Sequence, residues 1–317
     1  MAWLECVPNV SDGRDDGLVD RLAGRVAAVP GVALLDVHRD AVHHRSVYTM
    51  AGQAEALTAA VMALCEGALA AIDLRTHHGA HPRIGAVDVV PFIPIGTATM
   101  DDAITAARAT GAAIAARFDI PVWLYEEAAT APHRRPLEQV RRGRFEGLAD
   151  KLALPGWQPD FGPARPHPTF GAVAVGARRI LVAFNINLAT TRLEVAEAVA
   201  RAVRASSGGL PSVKAMGLAL PGRGLVQVSM NLTDVAATSM ATVYAAVERE
   251  AAHHGVTIAE SELVGLVPAS ALPPGGGAAL RIAAWSPDRI LDTRLAALPR
   301  QSGSRRTGAM PKARIFL

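Results

Sequence analysis

The chain has 317 residues, half of them hydrophobic and 19% charged, and its formal net charge is +3. This length and composition predict one large domain or two domains of ordinary size, with enough apolar residues for a sizeable core. Because the sequence contains no run of about 18 or more uncharged apolar residues, we expect no membrane-spanning helix.

The N-terminal stretch "MAWLECVPNVSDGRDD" has no basic region followed by an apolar one, so we expect no secretory signal. A short strand is predicted at residues 3–7, followed by a helix that begins near Ser11 and Asp12 and ends at the Pro-Gly pair 30–31. The other elements predicted in the first half are strands at 32–38, 45–52, 86–95 and 121–128 and helices at 53–73 and about 100–118. This half begins in the order βαββαβ, which is the ferredoxin-like arrangement.

The second half repeats that order. Its predicted elements are strands at 179–188, 213–220, 225–232 and 256–267 and helices at 191–209 and 237–255. We therefore predict an α/β (α+β) protein of tandem ferredoxin-like βαββαβ subdomains, with mixed sheets and helices mainly on one face. The predicted domains are residues 1–177 and 178–298, and residues 299–317 are predicted to be a mobile basic tail.

Charge and cysteine usage indicate the environment of the chain. The excess of basic residues lies largely in the tail, and the body of the chain has few aromatic residues, so we expect no nucleic-acid partner. Cys6 and Cys65 lie in apolar segments and are expected to be reduced core thiols of a cytoplasmic protein.

A cluster of histidines, His77, His78 and His81, stands immediately before a predicted strand. A polar surface loop, a metal site and an acid–base or anion-binding site are the three interpretations of such a cluster. The four-residue spacing of His77 and His81 is that of paired zinc ligands on a helix, but Gly79 and Pro82 oppose a helix here. No cysteine pair is available either, so we expect no metal and favour an acid–base or anion-binding site.

A second polar cluster, "DVHRDAVHHRSVYT", lies between two predicted strands and contains Asp36, Asp40, His44 and Arg45. A carboxylate orients an imidazole, and an arginine binds a substrate carboxylate through two parallel hydrogen bonds. A solvated hairpin loop is the alternative. If the strand ends converge on one rim, the two histidine clusters form one site.

The Pro-rich connector at residues 156–171 carries Trp157, Phe161 and Phe170. Long irregular loops in compact proteins are often functional. Aromatic residues spaced by glycine and proline suit a rigid loop against which a flat heterocycle stacks, and an ordinary packed linker between domains is the alternative.

Eight motifs in the chain resemble, in order, those of the formiminotransferase family. They are "ECVPNVSDG", "RSVYT", "HHGAHPRIGAVDVVPFIPI", "LYEEA", "PDFGP", "GARRILVAFNINL", "GLVQVSMNLTD" and "SELVGLVP". The resemblance runs from about residue 4 to residue 298. It implies a tandem ferredoxin-like fold, a homodimer, and transfer of a formimino group from N-formimino-L-glutamate to tetrahydrofolate in histidine degradation.

The resemblance also implies roles for particular residues. The family's catalytic histidine precedes Pro-Arg and corresponds to His81, and its folate loop corresponds to Gly162–Gly171, which contains Pro163. We expect Phe161 and Phe170 to border the pterin ring, with Gly162 and Gly171 allowing close backbone approach. No cyclodeaminase region follows the matched motifs, so a separate cyclodeaminase is expected to act on the product.

The chemistry of the reaction fits these residues. A histidine can accept the proton of the attacking pterin nitrogen and deliver one to the leaving glutamate nitrogen. Both substrates are carboxylates, so Arg45 and Arg83 are the expected anion partners. The asparagines expected to bind the pterin or amidine edges are Asn185, Asn187 and Asn231.

Other one-carbon donors remain open at this stage. Formylglutamate, formiminoglycine or a secondary-metabolite amine would fit a closely similar sequence. A non-catalytic folate-binding module is the further alternative, although such a module has no need of a histidine-rich rim.

Overall fold

The computed structural model describes residues 2–79 and 82–298. The chain divides into two compact units at the bond between Arg178 and Arg179. The predictions for His81 and for residues 299–317 lie outside the described residues.

Unit 1 contains a mixed sheet with helices on both of its faces. Its strands are β1 (Trp3–Cys6), β2 (Asn9–Val10), β3 (Val32–Asp40), β4 (Arg45–Gly52), β5 (Val87–Ile95), β6 (Val122–Glu126) and β7 (Val173–Ala177). Its α-helices are α1 (Asp16–Ala27), α2 (Ala54–Ala71), α3 (Met100–Phe118), α4 (Leu137–Arg141) and α5 (Leu148–Ala153).

In the sheet of unit 1, β1 and β2 lie between β4 and β5 and pair antiparallel with both. They act as one strand interrupted at Pro8, which has no N–H to donate to a neighbour. β3 extends the sheet beyond β4, and β7 and β6 extend it in parallel beyond β5. The result is a mixed α/β sheet, as predicted.

Two apolar clusters cover the two faces of this sheet. Helices α1, α2 and α3 pack on one face, where Tyr48, Phe92 and Phe170 are fully buried. On the other face, α4 and α5 cover Trp123 and Tyr125 of β6. Alternate residues of a strand point to opposite faces, and this is why β6 contributes to both clusters.

The first helix begins later than the sequence suggested. Asp15 is its N-cap residue, and the carboxylate of Asp15 accepts the N–H of Leu18 at 2.9 Å. Asp12 instead accepts the N–H groups of Arg14 and Asp15 in the turn before the helix. Predicting Ser11 and Asp12 as the caps was therefore wrong, because Asp12 closes a turn of its own.

The connector belongs to unit 1. The N–H of Val122 donates to the carbonyl of Phe161 at 2.9 Å, and the side chain of Phe170 is fully buried in the core. The chain then forms β7, a strand missing from the prediction, which lies between β5 and β6. A short run of buried Val, Ala and Gly has no alternation of polarity that would identify it as a strand.

Helix α2 is long and apolar enough to cross a membrane by length and composition alone. Seven of its residues are buried, including Leu57, Leu64 and Cys65, which pack in the core of unit 1. We therefore interpret α2 as a core helix.

Unit 2 contains a four-stranded antiparallel sheet in the order β11-β8-β10-β9. Its strands are β8 (Val182–Leu188), β9 (Val213–Leu220), β10 (Leu225–Leu232) and β11 (Ile258–Val264), and its α-helices are α6 (Leu193–Val203), α7 (Met240–His253) and α8 (Leu291–Ala296). The apolar side chains of β8 and β10 pack against α6 and α7. Most of the alternate residues of these strands, including Asn185, Asn187 and Gln227, are polar and point to the opposite face.

Candidate active site

A small polar cavity lies in unit 1, at the ends of β2 and β4. It is lined by Val10, Ser11, His43, His44, Arg45, His77, Arg83 and Asp88. Both histidine clusters of the sequence therefore contribute to one site, as the convergence of their strand ends suggested.

The two histidine-rich segments are in direct contact. The rings of His44 and His77 stack with their centroids 4.2 Å apart. A Cβ on Gly79 would lie 2.7 Å from the carbonyl oxygen of His43, so only glycine allows this approach. His44 has a φ of 52°, which is uncommon for a residue other than glycine and positions its ring over His77.

His77 is held as a neutral imidazole. Its Nδ1 accepts the Nε–H of Arg83 at 2.9 Å, so the ring proton lies on Nε2, which is 3.3 Å from the carbonyl oxygen of His44. Burial, together with the nearby His44 and Arg83, lowers the pKa of His77 to about 4. His77 therefore orients Arg83 and does not exchange protons near neutral pH.

The guanidinium of Arg83 is fixed on three sides. Besides His77 Nδ1, it contacts the carbonyl oxygen of His77 at 2.9 Å and the carboxylate of Glu146 at 2.9 and 3.3 Å. The ring of Phe145 lies 5.9 Å from the guanidinium carbon. Only 7% of Arg83 is exposed, whereas the side chain of Glu146 is 61% exposed. Glu146 is thus an exposed partner of a guanidinium that is itself almost fully buried.

A second guanidinium, that of Arg45, lines the same cavity. Burial lowers the pKa of Arg45 to about 9, with a further lowering by the positive charge of Arg141, so Arg45 stays protonated at neutral pH. Asp88 accepts hydrogen bonds from Arg141 at 2.9 and 2.5 Å and from the N–H of Ile84 at 2.8 Å. The charge of Asp88 is therefore already matched on the side of Arg141.

His44 is also neutral near physiological pH. Its Nδ1 accepts the N–H of Gly13 at 3.2 Å, and burial lowers its pKa. At the same rim, the carboxylate of Asp40 is hydrogen-bonded to Nδ1 of the His43 ring. Although burial opposes ionisation, the hydrogen bonds from His43 and Val42 hold the pKa of Asp40 below its ordinary value. Asp40 thus orients His43 at the cavity, as a carboxylate beside an imidazole was expected to do.

Glu5 is a buried carboxyl group on β1 of the same sheet. It is 6% exposed, and burial raises its pKa to about 7, an effect that the positive charge of Arg178 partly opposes. Glu5 is paired with Ala51 and Ile93, two apolar residues. Its protonation state therefore changes close to neutral pH.

The segment after the cavity contains the expected folate loop. Gly162 and Gly171 have φ values of 85° and 83°, and a Cβ on them would lie 2.6 Å from the carbonyl oxygen of Ile120 and 2.2 Å from that of Ile84. These glycines thus permit close approach of the chain to itself. Phe161 and Pro163 are partly exposed, whereas Phe170 is fully buried among core residues.

Unit 2 contains the predicted asparagines. Asn185 and Asn187 lie on β8 and are 5% and 0% exposed, while Asn231 is exposed at the far end of β10. The side-chain amide of Asn185 donates to Glu262 at 3.2 Å, and that of Asn187 donates to Glu260 at 3.1 Å. All three asparagines share the polar face of the sheet, but Asn231 has no part in these two contacts.

Comparison with known protein families identifies the family to which this chain belongs. The profile of the formiminotransferase domain, N-terminal subdomain, matches residues 3–178, and the profile of the formiminotransferase domain matches residues 183–277. The chain belongs to the formiminotransferase family.

Curated relatives cover most of this formiminotransferase chain. The glutamate formimidoyltransferase of Streptococcus pyogenes serotype M1 is 41% identical over 269 residues, which are 85% of this chain and 90% of the relative. That of Thermoplasma acidophilum is 41% identical over 86% of this chain and 90% of its own length. The formimidoyltransferase-cyclodeaminase of Rattus norvegicus is 41% identical over 85% of this chain, and the match spans only 51% of that longer protein.

Among solved structures, a microcompartments protein from Desulfitobacterium hafniense aligns with 83% of this formiminotransferase chain, at 13% identity and a TM-score of 0.23. That score is too low to indicate a common fold.

The structure separates the predicted site residues of this formiminotransferase into groups. His44, Arg45 and Arg83 line the cavity, and Asp40 contacts a lining residue. Asp36 is paired with Thr49 further along β3 and is not among the lining residues that the structure describes. Within residues 2–79 and 82–298, no group of three His, Cys, Asp or Glu side chains has the geometry of a metal site.

Several functional groups were not predicted from the sequence. Glu146 and Arg141 come from a segment without a recognisable motif and reach the cavity residues Arg83 and Asp88. Gln227 joins the asparagines of unit 2. A polar residue among the apolar residues of "LVQVSMNL" was the available signal for Gln227, because alternate strand residues share a face.

Proposed function

We propose that this protein transfers the formimino group of N-formimino-L-glutamate to tetrahydrofolate, giving 5-formiminotetrahydrofolate and L-glutamate. The matching family and the two glutamate formimidoyltransferases that cover most of the chain support this activity. The cavity in unit 1 is the observation on which the proposal chiefly rests, because its two guanidinium groups suit an anionic substrate.

Charge in the cavity favours a carboxylate ligand. Among the lining residues, the guanidinium groups of Arg45 and Arg83 accompany one carboxylate, Asp88, which already accepts hydrogen bonds from Arg141. The neutral rings of His44 and His77 add no competing charge. Since guanidinium groups bind carboxylates through paired hydrogen bonds, Arg45 and Arg83 hold the carboxylates of formiminoglutamate, and the substrate replaces Glu146 at Arg83.

The chemical step needs a proton acceptor and a proton donor. The N5 nitrogen of tetrahydrofolate attacks the formimino carbon, and a tetrahedral intermediate forms with two nitrogen leaving groups. His81 accepts the proton from N5 and delivers a proton to the glutamate nitrogen, whose bond to carbon then breaks. The C–N bond formed balances the C–N bond broken, and holding both substrates together supplies much of the rate.

Tetrahydrofolate is the co-substrate, and its expected contacts are the accessible loop residues Phe161, Gly162 and Pro163. Phe170 and Gly171, which the sequence also suggested as contacts, are buried and support the loop from the core. The asparagines of unit 2 are the expected hydrogen-bonding partners of the pterin or amidine edges. Incubating the protein with tetrahydrofolate and a panel of formimino and formyl amino acids, followed by mass spectrometry, identifies the donor. A product from formylglutamate or formiminoglycine alone would replace formiminoglutamate in this proposal.

The remaining features of the proposal concern the assembly. Each unit is proposed to be a ferredoxin-like subdomain, the protein to be a cytoplasmic homodimer without a catalytic metal, and a separate cyclodeaminase to process the product. The βαββαβ order and the β11-β8-β10-β9 sheet of unit 2 support the fold proposal. Sedimentation of the purified protein as a monomer would contradict the dimer.

Replacing His81 tests the chemical proposal. We expect His81→Ala to lower the turnover number by about 100-fold or more, while the affinity for folate changes little. His78→Ala is the matched control, because His78 is an exposed histidine of the same segment, and we expect nearly full activity. Wild-type turnover in His81→Ala would refute the role of His81.

A further inference from the structure

The polar face of the unit 2 sheet contains a connected set of amide and carboxylate groups. They come from three adjacent strands and are Asn185, Asn187, Gln227, Glu260 and Glu262. The helices of unit 2 pack on the other face of the sheet, against Phe184 and Val228. The set is therefore not part of the core of this unit.

Gln227 lies at the centre of the set, and its orientation is fixed. Its side-chain nitrogen donates to Asn187 Oδ1 at 2.9 Å and to Glu262 Oε2 at 3.2 Å. Both N–H groups of the amide therefore have acceptors. Exchanging its oxygen and nitrogen would direct the oxygen at the Glu262 carboxylate, which is unfavourable.

The oxygen of the same amide has no donor. Gln227 is 2% exposed, and within the part of the chain that the structure describes no donor reaches Gln227 Oε1. Buried polar atoms nearly always have hydrogen-bond partners, and leaving one without a partner is costly. The neighbouring groups have fixed the amide so that its free acceptor is directed away from all of them.

The surroundings indicate what kind of donor fits this acceptor. Glu260 and Glu262 lie on β11, which is separated from the strand of Gln227 by β8, and the side chain of Glu262 still reaches the Gln227 amide nitrogen at 3.2 Å. The hydrogen bond from Arg223 to Glu260 at 2.6 Å holds the pKa of Glu260 below its ordinary value. A negatively charged group would be repelled by these carboxylates. A group that presents N–H donors, or that carries a delocalised positive charge, is favoured.

We propose that Gln227 Oε1 accepts an N–H from the amidine-type N–C–N edge of a reactant and makes the enzyme selective for that edge. This inference rests on the proposed function, whose reactants offer two such edges. One is the 2-amino-pyrimidine edge of the pterin, and the other is the formimino group itself. Gln227 is thus a specificity-determining residue that senses the presence of an N–H.

The test compares a pterin and a formimino compound with analogues that each lack one N–H donor of the N–C–N edge, the 2-amino group in the first pair and the imino N–H in the second. The full-length wild type and Gln227→Met are titrated calorimetrically with folate and with its 2-desamino-2-methyl analogue. They are then titrated with formiminoglutamate and with formylglutamate, in which an oxygen replaces the imino nitrogen. Methionine retains the length of the side chain and removes the acceptor.

We expect the wild type to prefer the N–H ligand of one pair by about 5- to 150-fold, the range for a buried polar group left without its partner. In Gln227→Met that preference should fall to within about twofold, since no acceptor remains. Loss of the preference in the folate pair would show that Gln227 contacts the pterin edge. Loss of the preference in the formiminoglutamate pair would show that it contacts the formimino group. An unchanged preference in both pairs, or no preference in the wild type, overturns the proposal.

Two further variants serve as controls for these affinity ratios. If Gln227→Met does not fold, Gln227→Leu also removes the acceptor and should lose the preference in the same pair, and a preference retained there overturns the proposal. Ser229→Ala changes a half-buried residue two positions along the same strand and should keep the preference. Wild-type transfer of the formimino group is assayed separately, so a failure of the proposed function is seen independently of the affinity ratios.

Discussion

Replacing Gly171 with alanine tests whether the folate-loop glycines serve the fold. Gly171 has a φ of 83°, and an added Cβ would lie 2.2 Å from the carbonyl oxygen of Ile84. That oxygen accepts the N–H of Ala172 at 2.9 Å, so it cannot move without loss of a hydrogen bond. Gly96 is the matched control in the same unit, because its φ is 61° and no atom lies within 4 Å of its added Cβ.

The magnitude follows from these contacts. Both variants place alanine in the left-handed region, at a cost of about 1–2 kcal/mol. Gly171→Ala adds overpacking of about 1–3 kcal/mol and the weakening of one hydrogen bond, about 0.5–1.5 kcal/mol. We therefore expect Gly171→Ala to lower the free energy of unfolding by about 3–6 kcal/mol and Gly96→Ala by about 1–2 kcal/mol.

The assay is urea denaturation followed by tryptophan fluorescence, to which Trp3, Trp123 and Trp157 of unit 1 and Trp285 of unit 2 contribute. Folate affinity is measured on the same preparations under native conditions. Equal destabilisation by the two substitutions would refute the steric argument. A Gly171→Ala protein of wild-type stability that no longer binds folate would show that this glycine serves the ligand.

Three further predictions concern a buried carboxyl group, a buried ion pair and the absence of a catalytic metal. Because the pKa of Glu5 is raised to about 7 in the folded state, stability falls as the pH rises from about 4.5 to about 7. In Glu5→Gln the free energy of unfolding should fall by about 3 kcal/mol less over this pH range than in the wild type. If the free energies of unfolding in urea of wild type and variant change in parallel between pH 5 and 8, this prediction is contradicted. Arg134→Met breaks a buried ion pair with Asp160 at 2.9 Å and should lower the free energy of unfolding, measured in urea, by about 3–5 kcal/mol. The control is Arg135→Met, which breaks an exposed pair with Glu127 and should lower it by about 0–1 kcal/mol. Equal losses in the two variants would refute the burial argument. Dialysis against EDTA should leave the transfer rate unchanged, and activity lost on dialysis and restored by zinc would overturn metal independence.

Much of the fold could be predicted from local patterns. The paired strands β3 and β4 and the alanine-rich helix α2 were recognised because β-branched residues, helix formers and turn residues mark their ends. The prediction failed at β7, whose five buried residues lack alternation and whose partners, β5 and β6, are distant in sequence. Pairing over such distances depends on tertiary packing, which short sequence windows do not contain.

The candidate site was predictable to a similar degree. The histidine and arginine clusters indicated the cavity residues, since each cluster adjoins the end of a predicted strand. The partner of Arg83 was not predictable, because Glu146 lies 63 residues further along the chain. A residue such as Phe170 is also ambiguous in sequence, because an aromatic residue between polar and glycine residues suits both a ligand wall and a protein core.

The position of β7 has a consequence for the biosynthesis of the protein. A ribosome releases the chain from its N-terminus, and β6 emerges well before β7, the strand with which it pairs in the sheet of unit 1. Until residues 173–177 are available, Trp123 and Tyr125 lie on a strand whose edge is open to other chains. Nascent chains paused in the connector are thus the species most in need of a chaperone, and a fragment of this protein should end after Arg178 rather than within the connector.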